Sequence, residues 1–354
     1  MSDILDLPKF YQPETVMRWD YRTNPAALAR AAAAAASVGL SASDRRRVLL
    51  LLIDMQLDFC HPRGSLFVAG RGCVGALRDS CRIAEFIYRN ARRVTDIIAT
   101  TDAHTLFQCF FPEFWLLLGA AGAPSAHTLI GMDGNLLVNR ALDGSIIASV
   151  VPDPNVLQYI SQSDYTWLFR QMEYYVRRLE ENGKPPLYLW PHHCLQGSSG
   201  QGIMPIVHEA MLYHGFLRRS PPRIVQKGMH PLTENYSVFR TEVTTTFDGM
   251  RLVHGEDDLL TSVAGYDAVI VAGEASSHCV AASLADVRKY FDFVSCRGRP
   301  DNFYILTDCM SPVVVPGADF TDQAAAELKL CEEAGMHLVK STTSIDEWPD
   351  FPSV

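Results

Sequence analysis

Short apolar runs that end in polar residues recur along most of the chain after residue 46. Six such runs, rich in aliphatic and β-branched residues, occupy residues 47–56, 94–104, 223–228, 266–279, 302–309 and 336–342. Near-continuous apolar runs of this length are typical of parallel strands that are buried on both faces. The pattern therefore predicts a mainly parallel, six-stranded sheet.

Helical segments separate the predicted strands. They cover Val74 to Arg92, His208 to His214, Cys279 to Phe291 and Gln323 to Ala334. Strands that alternate with helices predict an α/β fold in which helices cover both faces of the sheet. We therefore expect a three-layer, doubly wound α/β/α domain over residues 46–345.

Three stretches lie outside this alternation. Residues 1–45 hold an alanine-rich helix at Pro25 to Ser37, and we interpret them as an N-terminal helical arm that packs on the domain or on a neighbouring subunit. Residues 107–186 are predicted to form an irregular insertion with an amphipathic helix around Tyr165 to Glu181, serving as a lid or an oligomer contact. Residues 346–354 form a C-terminal tail.

Composition narrows the range of partners. The net charge of −9 without a basic stripe argues against nucleic acid, because phosphate binding depends on clustered lysine and arginine. The apolar runs are far shorter than the ~20 residues that a membrane span needs, and the N-terminus lacks a signal pattern. The nine cysteines show no paired spacing, so we expect free thiols. These features favour a cytoplasmic protein, expected to form a homo-oligomer, that acts on a small molecule.

Polar side chains follow the predicted strands. Asp54 ends the first strand, Asp102 and His104 end the second, Lys227 ends the third, and a turn after the fourth delivers Cys279 to a helix start. Ligands of doubly wound sheets bind beyond the carboxyl ends of the strands, where the strand order reverses. We therefore expect these five side chains to converge.

Two kinds of chemistry follow from this convergence. A lysine and a helix N-terminus would lower the pKa of Cys279 from ~8.5, Asp54 would take the thiol proton, and Lys227 would hold that carboxylate. Asp102 and His104 lie two residues apart and would point the same way, so His193 of the stretch "WPHHCLQGSSG" could complete a three-ligand metal site. This mixed set of nitrogen and oxygen ligands suits zinc, iron or manganese.

Five motifs carry a resemblance to a known family. They read "LLIDMQLDFCHPRGSL", "TTDAH", "WPHHCLQGSSG", "KGMHPLTENYSVF" and "GEASSHCV". With them the chain resembles the nicotinamidase and isochorismatase-like cysteine hydrolases, and most closely their nicotinamidase branch. The resemblance covers roughly residues 47–112 and 187–341.

The resemblance implies a role for each motif residue. By the family pattern the catalytic triad is Asp54, Lys227 and Cys279, and one divalent ion, zinc by preference, is held by Asp102, His104 and His193. It also implies a cis peptide between Glu274 and Ala275, and an oxyanion hole formed by the backbone N–H groups of Ala275 and Cys279. The substrate pocket would be lined by Phe59, Trp190 and His278, whereas His192 would be a solvated histidine or an outer neighbour of the metal ligands.

The implied reaction is hydrolysis of a small carboxamide to an acid and ammonia through a thioester, with nicotinamide as the favoured substrate. Hydrolysis of an N-carbamoyl, ureido or other aromatic amide is an alternative within the family. An alternative of another class is a metal- or ligand-binding protein without turnover. The chain departs from the family pattern at Ser276 and Ser277, where Thr-Asp is common, and at Glu274, where an apolar residue is usual.

Overall fold

The computed structural model describes residues 4–35, 38–160, 164–252, 258–293 and 300–352. Its strands, in chain order, are β1 (Val48–Ile53), β2 (Asp96–Asp102), β3 (Trp115–Leu117), β4 (Leu129–Asp133), β5 (Leu136–Arg140), β6 (Ile146–Pro152), β7 (Leu187–Tyr188), β8 (Arg223–Lys227), β9 (Ala268–Gly273), β10 (Phe303–Leu306), β11 (Val314–Val315), β12 (Ala318–Asp319) and β13 (His337–Val339). Its α-helices are α1 (Pro25–Ala34), α2 (Leu57–Cys60), α3 (Gly75–Arg89), α4 (Tyr165–Glu181), α5 (Pro205–Arg218), α6 (Leu259–Ala264), α7 (Cys279–Phe293) and α8 (Thr321–Ala334).

The central sheet has six strands in the spatial order β13-β10-β9-β1-β2-β8, and every neighbouring pair is parallel. The six predicted apolar runs supply these strands, so the predicted sheet is confirmed. Strand order reverses between β1 and β9, which are paired in a register that sets Ile53 beside Gly273. Such a reversal opens a crevice at the carboxyl ends of the two strands.

Helices cover both faces of this sheet. Alternate residues of β1 point to opposite sides, so Leu50 and Leu52 join the core under α3 and α5, whereas Leu49 and Leu51 join the core under α6 and α7. The strand is fully buried along its whole length. The three-layer α/β/α arrangement is therefore confirmed.

The stretch predicted as an irregular insertion contains regular structure. A second, antiparallel sheet has the order β3-β6-β5-β4-β7, and α4 packs against β4 and β6. The prediction of the helix at Tyr165–Glu181 is confirmed, but the prediction of an otherwise irregular stretch is wrong. Strands that are partly exposed, such as β5 and β6, do not give continuous apolar runs, and the sequence pattern therefore missed them.

The N-terminal residues pack on the α/β domain. Asn24 caps α1 by accepting a hydrogen bond from the Ala27 N–H. The guanidinium of Arg218, on α5, donates to the Gly39 carbonyl at 2.5 Å and contacts Asp44 at 2.5 Å. The predicted end of the first helix falls on residues 36 and 37, which lie outside the described residues. Whether residues 1–45 also contact another subunit stays a prediction.

Two expectations from composition can be compared with the structure. The eight cysteines in the described ranges are all free thiols, as expected. Across the same ranges, no helix combines the length and the apolar character that a bilayer crossing requires.

Candidate active site

Three of the predicted residues come together at the crevice between β1 and β9. Asp54 directly follows β1, Lys227 ends β8, and Cys279 begins α7 after the turn that leaves β9. The Lys227 Nζ atom lies 2.9 Å from Asp54 Oδ2 and 3.5 Å from Cys279 Sγ. All three residues are at least nine-tenths buried.

Lys227 also connects this group to a second carboxylate. Its Nζ atom donates to Asp102 Oδ1 at 2.6 Å and to the Asn235 carbonyl at 2.9 Å. Burial would lower the pKa of Lys227, but Asp102 and Asp54 raise it well above its usual value. The side chain is therefore a buried ammonium shared between two carboxylates.

Two residues that the sequence analysis missed position Asp54 and Asp102 by hydrogen bonds. The Thr100 hydroxyl donates to Asp54 Oδ1 at 2.7 Å. Gln56 clamps the backbone of Asp102, because its Nε2 donates to the Asp102 carbonyl at 2.8 Å and its Oε1 accepts from the Asp102 N–H at 2.7 Å. Asp54 itself has a positive φ of 49°, which bends the chain at the end of β1.

The electrostatics of the thiol differ from the prediction. Burial raises the pKa of Cys279 and outweighs the opposing effect of Lys227, so the pKa lies well above its usual value. The predicted lowering of this pKa is therefore wrong, and the resting group is a thiol. Burial also raises the pKa of Asp54, against the lowering effect of Lys227, which makes this carboxylate a stronger proton acceptor than an exposed one.

The three residues predicted to bind metal form a compact group. Ligand atoms of Asp102, His104 and His193 all lie within 4.8 Å of one another. His104 Nδ1 is 2.8 Å from the Gly228 carbonyl and His193 Nδ1 is 2.8 Å from the Pro191 carbonyl, so each Nδ1–H donates and each Nε2 keeps its lone pair. Backbone carbonyls orient metal-binding histidines in this way.

The charges of this group also suit a divalent cation. Burial and the neighbouring His104 lower the pKa of His193 to about 3, so the ring is neutral at neutral pH. Asp102 gives Oδ1 to Lys227, while its Oδ2 lies 3.6 Å from His104 Nε2. Gly228 permits the close approach, because a Cβ atom there would lie 2.6 Å from His104 Cε1. Two imidazole nitrogens and one carboxylate oxygen are a fitting donor set for zinc.

A second group of potential ligands does not suit a metal. Asp54, Asp102 and Cys279 also offer atoms within 4.8 Å of one another. The ammonium of Lys227 contacts all three of these side chains. A cation therefore already fills the space between them.

The metal group and the thiol face one apolar pocket. Its lining contains Cys279, Ala275, the three potential metal ligands and the three predicted substrate-binding residues, together with Leu66, Val68, Phe110, Glu234, Asn235, Tyr236 and Val313. The rings of Phe59 and His193 are 5.4 Å apart, and those of Trp190 and His278 are 5.3 Å apart. The structure thus brings Phe59, Trp190 and His278 to the same cavity as Cys279.

Sequence reasoning missed a polar network in the pocket wall. The Trp190 indole N–H donates to the Tyr236 hydroxyl at 3.0 Å, and that hydroxyl donates to Glu234. Burial raises the pKa of Glu234 to about 8. Glu234 and Tyr236 belong to the motif "KGMHPLTENYSVF", for which the sequence analysis predicted a role of Lys227 alone. A buried pair of one acid and one phenol is not recognisable from their spacing.

The turn before Cys279 has the predicted backbone. The peptide between Glu274 and Ala275 is cis. The Ala275 carbonyl accepts hydrogen bonds from the His278 N–H at 3.0 Å and the Val280 N–H at 3.2 Å. Among the described residues, the N–H groups of Ala275 and Cys279 have no hydrogen-bond acceptor.

The neighbours of His193 have separate surroundings. His192 is partly exposed, and its Nε2 lies 3.4 Å from Glu113 Oε2. Cys194 is fully buried, and its backbone N–H donates to Asp58 Oδ2 at 2.7 Å. His192 therefore lies outside the metal group, as predicted.

No protein-family model matches the chain. One curated relative, nicotinamidase of Escherichia coli (strain K12), is 31% identical over 102 residues, which are 28% of this chain and 40% of that protein. The chain therefore matches less than half the length of this relative. The resemblance to nicotinamidases predicted from the motifs is confirmed over this stretch.

Several solved structures are similar to this chain at low sequence identity. Yeast nicotinamidase has a TM-score of 0.49 and 17% identity, with 82% of this chain and 99% of that chain covered. A nicotinamidase of Acinetobacter baumanii has a TM-score of 0.47 and 18% identity, with 85% and 99% covered. A pyrazinamidase of Pyrococcus horikoshii in complex with zinc has a TM-score of 0.42 and 19% identity, with 83% and 99% covered. These scores lie below 0.5, so the side chains of this protein have to carry the functional conclusion.

Proposed function

We propose that this protein is a metal-containing cysteine amidohydrolase that converts a small carboxamide to a carboxylic acid and ammonia. The observation that carries the proposal is the position of the Lys227 ammonium, 2.9 Å from Asp54 and 3.5 Å from the Cys279 sulfur. A nucleophile, a base and a cation that orients the base are the parts that acyl transfer requires. Cys279 lines a pocket that also contains three potential metal ligands.

Acylation begins at a protonated thiol. Asp54 takes the Cys279 proton as Sγ attacks the carboxamide carbon, so a C–S bond forms and the carbonyl π electrons move to oxygen. The raised pKa of Asp54 favours this proton transfer. The proton then passes from Asp54 to the amide nitrogen, the C–N bond breaks, and ammonia leaves a thioester on Cys279.

Deacylation reverses the roles. Water gives a proton to Asp54 and attacks the thioester carbon, after which the C–S bond breaks and the sulfur recovers that proton. Lys227 remains an ammonium throughout, because Asp102 stays ionised beside it even while Asp54 carries a proton. It keeps Asp54 in place and offsets negative charge near the sulfur.

The negative oxygen of each tetrahedral intermediate needs donors. The N–H groups of Ala275 and Cys279 have no acceptor within the described structure, and we assign them this role. Preorganised backbone donors of this kind are worth roughly 10²- to 10³-fold in rate for each donor. Their position depends on the turn of residues 274–279.

Asp102, His104 and His193 are the proposed ligands of one divalent ion, and zinc is favoured by their two imidazoles and one carboxylate. When bound, such an ion supplies a Lewis acid that can orient a ring nitrogen or a water molecule. Lys227 withdraws Asp102 Oδ1 from this site and leaves Oδ2 for the ion.

Nicotinamide is the proposed substrate. Phe59, Trp190, the proposed metal ligands and Cys279 line the same pocket. We propose that the two aromatic side chains contact the flat ring, that the ring nitrogen faces the metal ligands and that the carboxamide faces Cys279. Most of the exposed pocket surface is apolar although polar side chains also line it, and this combination suits a small aromatic amide. Nicotinate and ammonia would be the products.

The test is ammonia release from a panel of amides. The panel contains nicotinamide, benzamide, which lacks the ring nitrogen, and an N-carbamoyl amino acid, each with wild-type protein and with Cys279→Ala. We expect nicotinamide to be turned over fastest and Cys279→Ala to be inactive. Faster ammonia release from the N-carbamoyl compound than from nicotinamide would show that nicotinamide is not the preferred substrate. Binding of these compounds without ammonia release from any of them would overturn the proposal that the protein is an enzyme.

A further inference from the structure

Two buried acids lie behind the turn that leads to Cys279. Glu274 is 0% exposed, and Asp79, on α3, is 3% exposed. Both carboxyl groups accept hydrogen bonds from Ser311, which places them side by side, and each affects the pKa of the other. Two buried acids in this arrangement favour a state in which one of them carries a proton, because two carboxylates would repel each other and neither could donate a hydrogen bond.

The geometry indicates which oxygen carries the proton. Asp79 Oδ2 accepts from the Ser311 hydroxyl at 2.5 Å, and Asp79 Oδ1 lies 3.6 Å from the Arg82 guanidinium. Glu274 Oε2 accepts from the Ser311 N–H at 3.1 Å, whereas Glu274 Oε1 has no donor among the described residues. A buried oxygen without a donor is explained if it is the protonated oxygen of a carboxylic acid that donates to Asp79.

The charges around the pair agree with this assignment. Burial, together with the charge of Asp79, raises the pKa of Glu274 well above its usual value. Burial raises the pKa of Asp79 to about 6, although Ser311, Glu274 and Arg82 counteract this effect. The other titratable neighbours are Asp308, whose charge raises the pKa of Asp79, and the buried thiols of Cys60 and Cys309, whose own pKa values are raised. Both shifts agree with Asp79 as the carboxylate and Glu274 as the acid of the pair.

Ser311 connects this pair to the turn. Its N–H and hydroxyl are held by the two acids, and its carbonyl accepts from the Ser276 N–H at 2.9 Å. Two residues later, the Val313 N–H donates to the Ser277 hydroxyl at 3.0 Å. The segment 311–313 is thus fastened to the turn on both sides of Ala275, and Val313 forms part of the pocket wall.

We propose that Glu274, in its protonated form, is a positioning residue that holds the oxyanion-binding turn through Asp79 and Ser311. This inference rests on the proposed function for its catalytic consequence. When Glu274 loses its proton, two carboxylates face each other without water, and the contacts to Ser311 weaken. Because a raised acid pKa means that the folded state holds the proton tightly, the contribution is fully present below the ordinary pKa of a glutamic acid and is lost as pH rises through the raised pKa of Glu274.

The experiment compares Glu274→Gln with Glu274→Met. The glutamine can donate to Asp79 and accept from the Ser311 N–H without titrating, whereas the methionine has a similar volume and can do neither. In Glu274→Gln we expect kcat to stay within about threefold of wild type at pH 7, while any pH dependence of kcat that arises from Glu274 disappears. We expect Glu274→Met to lose roughly 10- to 100-fold in kcat with little change in KM, because a misplaced turn affects the transition state.

A second measurement is independent of turnover. Hydrogen exchange of peptides covering residues 274–282 and 309–314 should accelerate in Glu274→Met and remain near wild type in Glu274→Gln. Glu209→Gln is the matched control, since Glu209 is a buried acid on α5 that accepts from Tyr21 and Tyr88. It should change neither kcat nor exchange in these peptides.

The outcomes separate the two proposals. Unchanged exchange and kcat in Glu274→Met would overturn the role of Glu274. Absence of ammonia release by the wild type would instead refute the proposed function. In that case the exchange measurement would still decide whether Glu274 holds the turn.

Discussion

Lys227 and Asp102 are joined by a contact of 2.6 Å between Nζ and Oδ1, at the meeting point of the proposed nucleophile and the proposed metal ligands. The same ammonium contacts Asp54 at 2.9 Å. One buried cation therefore contacts the proposed base on one side and a proposed metal ligand on the other. Changing it should affect both halves of the site.

Lys227→Met should abolish turnover and alter metal binding. Without the ammonium, Asp54 loses its partner, and we expect kcat to fall by roughly 10³-fold or more. The space between Asp54, Asp102 and Cys279, now filled by a cation, becomes available to a metal ion, so zinc stoichiometry should rise from one to two. Ammonia release and zinc titration calorimetry measure the two effects.

Lys184→Met is the control for this substitution. Lys184 forms an ion pair with Glu242 at 2.6 Å and does not line the pocket. It should keep wild-type turnover and one zinc ion. Normal turnover by Lys227→Met would remove this lysine from the mechanism, and an unchanged zinc count would show that the ammonium does not exclude a second ion.

Cys279→Ala should remove activity while the fold is retained. The side chain is small, and its loss leaves α7 and its packing in place, so the melting temperature should shift by only a few degrees. With wild-type protein and a slow amide, mass spectrometry should detect the thioester as an acyl adduct on the peptide that contains Cys279. Cys331→Ala, which removes a fully buried thiol of α8, should retain both turnover and the adduct. Turnover by Cys279→Ala would exclude a thioester mechanism.

The sequence predicted which side chains meet at the carboxyl edge of the sheet, because the carboxyl ends of parallel strands lie along the same edge. Asp54, Asp102 and Lys227 each end an apolar run, so their meeting follows once the strand order is known. The spacing of Asp102 and His104 similarly placed both on one side of the chain. Local pattern and topology were sufficient for these residues.

Contacts between distant segments could not be predicted in this way. The departure from the family pattern at Glu274 was visible, but its partners Asp79 and Ser311 belong to a helix and a loop with no distinguishing motif. The direction of the Cys279 pKa was predicted wrongly for a related reason. The burial of the thiol depends on the tertiary packing around it, which the sequence pattern does not show, whereas the neighbouring lysine could be predicted from the sequence.

His193→Ala should weaken metal binding, and His192→Ala should not. The two histidines are adjacent in sequence, but only His193 has a ring nitrogen within 4.8 Å of the other proposed ligands. Loss of one of three protein ligands should reduce zinc affinity by at least roughly 10- to 100-fold, the range found when even an outer partner of a ligand is lost. Competition with a chelator measures the zinc affinity of wild type and of both variants. The KM for nicotinamide is then measured for each protein with and without zinc.

Equal zinc affinity in His193→Ala and wild type would contradict the proposed ligand set. Weakening by His192→Ala to the same degree would indicate disturbance of the loop rather than loss of a ligand. His192 contacts Glu113 at the surface, so its removal leaves the group of three ligands intact. Thermal unfolding of both variants in excess chelator shows whether either substitution affects the metal-free fold.

His278 should act as a wall of the pocket and not as an acid or base. Its ring packs against Phe320 at 4.8 Å and Trp190 at 5.3 Å between ring centroids. Burial lowers its pKa to about 4, so the ring is neutral throughout the neutral range. His278→Phe keeps a flat ring there and should retain kcat within about threefold, with an unchanged pH profile.

His278→Ala should raise KM for nicotinamide about tenfold, because one aromatic contact contributes up to about 1.5 kcal/mol. If His278→Phe instead lowered kcat by roughly two orders of magnitude with KM unchanged, this histidine would be assigned to proton transfer.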